Sequence, residues 1–199
     1  MTTFPRVESD EHHLSSAHVL PLRSAFLDLV RSGDGRRLLE IGVGTGQDSL
    51  YFKESGLDVV AVDLSPAMVA RCREKGLEAF VMDFLHLDFA PESFDAVYAM
   101  NCLLHVPDSD LPAVLEAVRG LLRPGGVFFF GVYGGGVLLG EGPYDGDDHE
   151  PPRFFSFRGD EELQEFGRRL FEVVDFHVVG AGKQRFQSLT LRRPARVGA

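Results

Sequence analysis

Apolar positions along this chain alternate between two rhythms, one helical and one extended. Leu22, Phe26, Leu27, Leu29 and Val30 recur at near-helical spacing until Gly33, so a helix should precede the first strand, with Pro21 suited to its first turn. Arg37–Ile41 is then a short apolar run, residues 42–46 a glycine-rich turn, and Leu50, Tyr51 and Phe52 belong to a helix-like stretch. The cycle repeats with a strand at Val59–Val62, a helix opened by Ser65-Pro66 and running to about Lys75, and a strand at Ala79–Met82. Phe94–Met100 supplies a fourth strand, Leu111–Leu122 a helix, and Val127–Val132 a fifth strand after Pro124-Gly125-Gly126. Strands that alternate with helices imply a parallel sheet covered on both faces, a doubly wound α/β fold.

Beyond Gly134 the pattern changes. Gly134-Gly135-Gly136 and the glycine- and acid-rich residues 142–148 read as loop, and a long loop in a compact domain is often functional; residues 134–158 are the expected substrate loop. Asp160–Phe171 has helical spacing, and Phe171–Val179 and Phe186–Leu191 read as two strands closing the chain as a hairpin. The first twenty residues are polar and hold His12, His13 and His18. With the helix after them they suggest an N-terminal arm over residues 1–32 of a single domain spanning 1–199.

Composition narrows the function. The formal charge of -10 would repel a phosphate backbone, which argues against nucleic acid as a partner. Arg192, Arg193 and Arg196 cluster beside Pro194 and read as a solvated tail. Two cysteines, no signal segment and no bilayer-length apolar run predict a cytoplasmic protein without disulfides or a membrane partner. The chain carries neither a CxxC pair nor an HExxH helix, so no metal is expected.

The strongest chemical signal is Leu38-Leu39-Glu40-Ile41-Gly42-Val43-Gly44-Thr45-Gly46. Glycines at the carboxyl end of a first strand permit a tight turn and let a ligand approach bare backbone. About twenty residues on, Asp63 ends the second strand, where a carboxylate can accept hydrogen bonds from both ribose hydroxyls. The pair predicts an adenosine-containing ligand. A dinucleotide site wants Gly-x-Gly-x-x-Gly, whereas here the third glycine is Gly46, followed by Gln47.

The run Glu40-x-Gly42-x-Gly44-x-Gly46 resembles the first motif of class I S-adenosylmethionine-dependent methyltransferases. The likeness continues through Val62-Asp63-Leu64-Ser65-Pro66-x-Met68, Asp83-Phe84, Phe94-Asp95-Ala96-Val97 and Leu122-Arg123-Pro124-Gly125-Gly126, covering residues 36–132. The resemblance implies S-adenosylmethionine as cofactor and a Rossmann-like sheet of seven mostly parallel strands with an antiparallel terminal strand. It implies that Glu40 belongs to the cofactor-binding motif and that Gly42, Gly44 and Gly46 line the methionine and ribose part. Asp63 would then hold the ribose, Leu64 and Met68 flank the adenine, Asp83 with Phe84 meet its amino edge, and Asn101 border the methionine end.

Several constellations carry two readings. His105, just past the fourth strand, is either a general base for the acceptor or a packing histidine; it is the one catalytic candidate. Cys102 has no neighbouring base to make it a nucleophile. Tyr133, Tyr144 and Phe154-Phe155-Ser156-Phe157 either wall a substrate pocket or tie the loop to the core, and Asp145, Asp147, Asp148, His149 and Glu150 bind a cation or are simply solvated. The expected activity is methyl transfer to a small molecule. The alternatives are a non-catalytic S-adenosylmethionine binder and a nicotinamide-dependent oxidoreductase, which the glycine spacing disfavours.

Overall fold

The structure, a computed structural model, describes residues 16–147 and 149–196, with backbone alone for 16–20. Residues 1–15 of the expected arm, with His12 and His13, the side chain of His18, and Asp148 lie outside the described residues.

Five strands, β1 (Arg37–Ile41), β2 (Asp58–Asp63), β3 (Glu78–Val81), β4 (Phe94–Met100) and β5 (Leu122–Tyr133), run parallel. Two more lie beyond β5: β9 (Phe186–Arg192) pairs antiparallel with it, and β8 (Glu172–Val179) pairs antiparallel with β9. The sheet order is β3-β2-β1-β4-β5-β9-β8, so the doubly wound, seven-stranded expectation holds, with β9 as the antiparallel strand.

Successive side chains of a strand point to opposite faces, and both faces here are dry. Leu39 and Ile41 join Val97, Phe128 and Phe130 in a core roofed by Val114, Leu115 and Val118 of α4 (Leu111–Leu121) and Leu163 of α5 (Asp160–Arg168). Leu38 faces the other way, into a core with Tyr98, Phe129, Phe26 and Val30 of α1 (Ser16–Ser32) and Phe52 of α2 (Gln47–Glu54). A smaller cluster of Ala61, Ala79, Val69 and Cys72 seats α3 (Pro66–Glu74) on the outer strands. This explains why the strands read as continuous apolar runs. Each fully buried Leu or Phe contributes about 1.5 to 3 kcal/mol.

Four expectations need correction. The first helix begins at Ser16 and contains Pro21, because a proline near a helix start removes a single backbone bond while Leu22, Phe26, Leu27 and Val30 anchor the rest. Helix α5 stops at Arg168, short of Phe171, after Gly167 packs closely against Leu191. Residues 134–158 are not all loop: β6 (Gly140–Pro143) and β7 (Phe154–Phe157) pair as an antiparallel two-stranded sheet. The arginine tail is tied down rather than loose, since Glu92 accepts from Arg193 at 2.9 Å and from Arg196 at 2.7 Å, and Arg192 reaches the Gly125 carbonyl, although Arg196 stays exposed to solvent. No described helix is long and apolar enough to cross a membrane.

Candidate active site

Strand order reverses between β1 and β4, and in such sheets a crevice opens outside the carboxyl ends of the strands at that point. The expected site residues collect there. Ile41 pairs with Ala99 and Asp63 with Val81, so the glycine loop, Asp63-Leu64, Asp83-Phe84 and Asn101 leave the ends of four adjacent strands.

The glycine loop is held from below by backbone bonds. Gly42 and Val43 both donate to the Val62 carbonyl, at 2.8 and 3.1 Å. Gly44 donates to one carboxylate oxygen of Asp63 at 2.9 Å, and Ser65 to the other at 2.8 Å. Two backbone donors thus orient Asp63, and each oxygen keeps a lone pair for a ligand. Gly42, Gly44 and Gly46 all have positive φ, and the three differ in surroundings. A Cβ at Gly42 would meet Cys102, and one at Gly46 would meet Cys72 and Leu77, whereas one at Gly44 would meet nothing within 4 Å. Gly44 faces open space.

Glu40 lies beneath this loop, buried, accepting a hydrogen bond from the Ser49 hydroxyl of α2. Burial pushes its carboxyl well above the ordinary range, the nearby Asp48 pushes the same way, and the Ser49 contact opposes both. Asp48 pairs with Arg23 of α1 at 2.6 Å, and the Arg23 guanidinium lies 3.9 Å over the Tyr51 ring.

On the adenine side expected from the motifs, Leu64 is 66% exposed and Met68 half-buried, its N–H accepted by the Ser65 hydroxyl at 3.4 Å. Asp83 accepts from Leu85 N–H at 2.9 Å, and Phe84 is half-buried against the core. At the opposite end Asn101 adopts φ +53, donates its N–H to the Gly131 carbonyl at 2.8 Å, and has a buried side-chain Oδ1 without a hydrogen-bond partner among the described residues. A buried acceptor left without a partner calls for a donor from a ligand or a water.

His105 closes a 3-10 turn at Leu103–His105. Its Nδ1–H donates to the Phe154 carbonyl at 2.8 Å, which leaves Nε2 as the unprotonated nitrogen. Its ring stands 4.7 Å from that of Phe155. Burial lowers its pKa below the ordinary histidine value, and Arg153 and His149 act in the same sense, against the Phe154 bond and Asp147. Cys102 is structural: its buried thiol donates to the Ile41 carbonyl at 3.1 Å, and burial pushes its pKa far up.

The loop aromatics pack chiefly on one another. Tyr144, Phe155 and Phe157 have centroids 5.3 to 5.6 Å apart, and Tyr133 meets Phe186 at 5.6 Å. Phe155 alone of these rings pairs with His105. In the acidic stretch Asp147 is held by Arg153, which drops its carboxyl to about 2, and His149 donates to the Pro151 carbonyl at 2.9 Å. Among the described residues, no three metal-binding side chains come together. Sequence reasoning passed over Arg158 and Asp108, because their contacts join segments about fifty residues apart. Alternation from Phe155 and Phe157 would have sent Arg158 outward, so no local signal in the sequence marked it.

Comparison with known proteins agrees with this geometry. A family profile described as "Methyltransferase domain" matches residues 38–126. The segment that carries the candidate site is thus similar to methyltransferase domains. A "Ubiquinone biosynthesis O-methyltransferase" of Xanthomonas oryzae pv. oryzae is 41% identical over 113 residues, 53% of this chain and 45% of the relative. The chain spans about half the length of the curated relatives it matches. Among solved structures, an S-adenosylmethionine-dependent methyltransferase of Mesorhizobium loti superposes with TM-score 0.74 at 22% identity, covering 88% of this chain and 97% of that one. The 1,6-didemethyltoxoflavin-N1-methyltransferase of Burkholderia thailandensis, solved with bound 1,6-didemethyltoxoflavin and S-adenosylhomocysteine, gives TM-score 0.67 at 22% identity over 97% of this chain and 93% of that one. The class I methyltransferase expectation is borne out by the matched profile and by the fold.

Proposed function

We propose that this protein binds S-adenosylmethionine across the carboxyl ends of β3, β2, β1 and β4 and passes its methyl group to a hydroxyl of a small molecule. One observation carries the reading: the open face at Gly44, the oriented Asp63 carboxylate and the orphan Asn101 Oδ1 sit at the carboxyl ends of the neighbouring strands β1, β2 and β4. Asp63 would accept the ribose hydroxyls with its remaining lone pairs, and Asn101 Oδ1 would accept from the ammonium group. Leu64 and Met68 would flank the adenine, with Asp83 and Phe84 at its amino edge. Glu40 would support the loop through Ser49.

The bound sulfonium supplies an electrophilic methyl carbon. The chain must hold an acceptor oxygen in line behind that carbon and exclude water. His105 Nε2 would take the acceptor's proton as the methyl group passes to oxygen and the sulfur–carbon electron pair stays on sulfur. An oxygen acceptor is supported by this free nitrogen and by the O-methyltransferase names of relatives 33 to 41% identical. The charge of -10 supports a small-molecule substrate over nucleic acid, and two free, buried thiols suit a cytoplasmic protein.

Calorimetry with S-adenosylhomocysteine, beside NAD as control, tests the site. Labelled-methyl incorporation into a panel of phenols, amines and thiols then tests the reaction. Binding of NAD instead would overturn the proposal, and binding without transfer to any acceptor class would favour a non-catalytic binder.

A further inference from the structure

Arg158 follows β7, is 1% exposed, and spends its guanidinium on one short segment. Its Nη1 donates to the Leu103 carbonyl at 3.3 Å, its Nη2 to the Val106 carbonyl at 2.6 Å, and its Nε to Asp108 Oδ1 at 2.7 Å. Those two carbonyls bracket the turn that carries His105. Strand alternation puts Ser156 on the same side as Arg158, and its hydroxyl also donates to Asp108 Oδ1, at 2.9 Å. The same strand supplies the Phe154 carbonyl that accepts from His105 Nδ1. One stretch of chain therefore holds the histidine at its ring and holds its turn on both sides.

A planar guanidinium presents donors on three separate nitrogens and can meet two carbonyls and a carboxylate spread around it; an ammonium, whose donors radiate from one nitrogen, cannot span them in the same way. A fully buried arginine needs some such set of partners to be there. We infer that Arg158 is a positioning residue: by clamping the turn to β7 it keeps the His105–Phe154 hydrogen bond made, and so keeps Nε2 unprotonated and aimed at the acceptor. The inference rests on the reading of His105 as proton acceptor, and its effect on the imidazole can be read without any substrate.

The measurement is the tautomer of His105 at neutral pH, from long-range proton–nitrogen correlation spectra, with the His105→Gln spectrum assigning the signal. In the unsubstituted protein His105 should be almost wholly in the Nδ1–H form. In Arg158→Lys the turn loosens, and the Nε2–H form should rise by roughly tenfold relative to Nδ1–H, while S-adenosylhomocysteine affinity stays within about twofold. Asp108→Asn, which weakens the carboxylate that orients Arg158, should move the ratio the same way, and it carries the test if the lysine variant does not fold. An unchanged ratio in the folded variant overturns the inference. Turnover separates it from the functional reading on which it rests: Arg158→Lys should lower kcat roughly ten- to a hundredfold, and adding it to His105→Gln should cost nothing more. Additive losses overturn the inference. A shifted tautomer with unaltered turnover upholds Arg158's hold on the histidine and overturns His105 as the base.

Discussion

Gly42 and Cys102 touch across the point where the sheet reverses order: a Cβ on Gly42 would lie 2.3 Å from the Cys102 Cβ. The loops that follow β1 and β4 are thereby packed against each other, with no slack for a side chain at Gly42. Gly42→Ala must part the loops and also hold a side chain at φ +70, so a loss of about 2 to 4 kcal/mol is expected, or roughly 5 to 15 °C in Tm. Calorimetric melting checks it. Cys102→Gly should return part of that loss in the double variant, and strictly additive effects would rule out the contact as the cause.

Gly44 makes the opposite case. A Cβ there meets nothing within 4 Å, so Gly44→Val should fold, with a modest backbone cost from φ +51, and lose S-adenosylhomocysteine binding by filling the cofactor's space. A folded variant that binds at the original affinity would mark the loop as an ordinary turn.

Asp63 orients the loop as well as presenting acceptors, so Asp63→Ala has two effects. Cofactor affinity should fall by roughly ten- to a hundredfold for lost charge-assisted bonds to the ribose. Stability should also fall by about 1 kcal/mol, since the Gly44 and Ser65 N–H groups lose their acceptor at a half-buried position open to water. Unchanged affinity in calorimetry would remove Asp63 from the site.

Much of this arrangement was legible because local chemistry and tertiary structure agree. β1 and β4 have the bounds their apolar runs predict, and Ser65 caps α3 as Ser-Pro suggests. The failures occur where long-range partners decide. Gly140, Gly142 and Pro143 are poor strand formers, and β6 forms because β7 pairs with it. Leu122 joins β5 through its pairing with Phe94, before the irregular stretch that ends at Val127. Arg193 and Arg196 read as a loose tail until Glu92, about a hundred residues away in sequence, gives them a partner.

Glu40 links stability to pH. Its carboxyl sits well above the ordinary glutamate value of about 4.3, so the folded state keeps a proton that the unfolded chain releases. The group's contribution is greatest below that ordinary value and is lost as pH rises from there toward the raised folded value. Glu40→Gln keeps an acceptor for the Ser49 hydroxyl and removes the ionisation. Melting curves at pH 5 and pH 8 should show the variant gaining on the unsubstituted protein at the higher pH. Parallel pH dependence in the two proteins would mean that Glu40 is ionised in the fold.

His105 should set the acid limb of the reaction. With Nδ1–H committed to Phe154, the working form is the neutral imidazole, and burial together with Arg153 and His149 lowers its pKa below the ordinary value of about 6.5, against the pull of Asp147 and the Phe154 bond. The rate should therefore stay flat through neutral pH and fall only as pH drops through the lowered value, the limb in kcat/KM reporting the free enzyme. Stability moves in the same direction, because the unfolded chain takes up a proton near 6.5 that the folded histidine refuses until lower pH; it is lost as pH falls through that window. His105→Gln should leave S-adenosylhomocysteine affinity intact, abolish the acid limb and cut turnover by roughly a hundredfold. If the variant melts at lower temperature yet keeps its turnover and its limb, His105 only ties the turn to β7, and proximity to the sulfonium carries the chemistry alone.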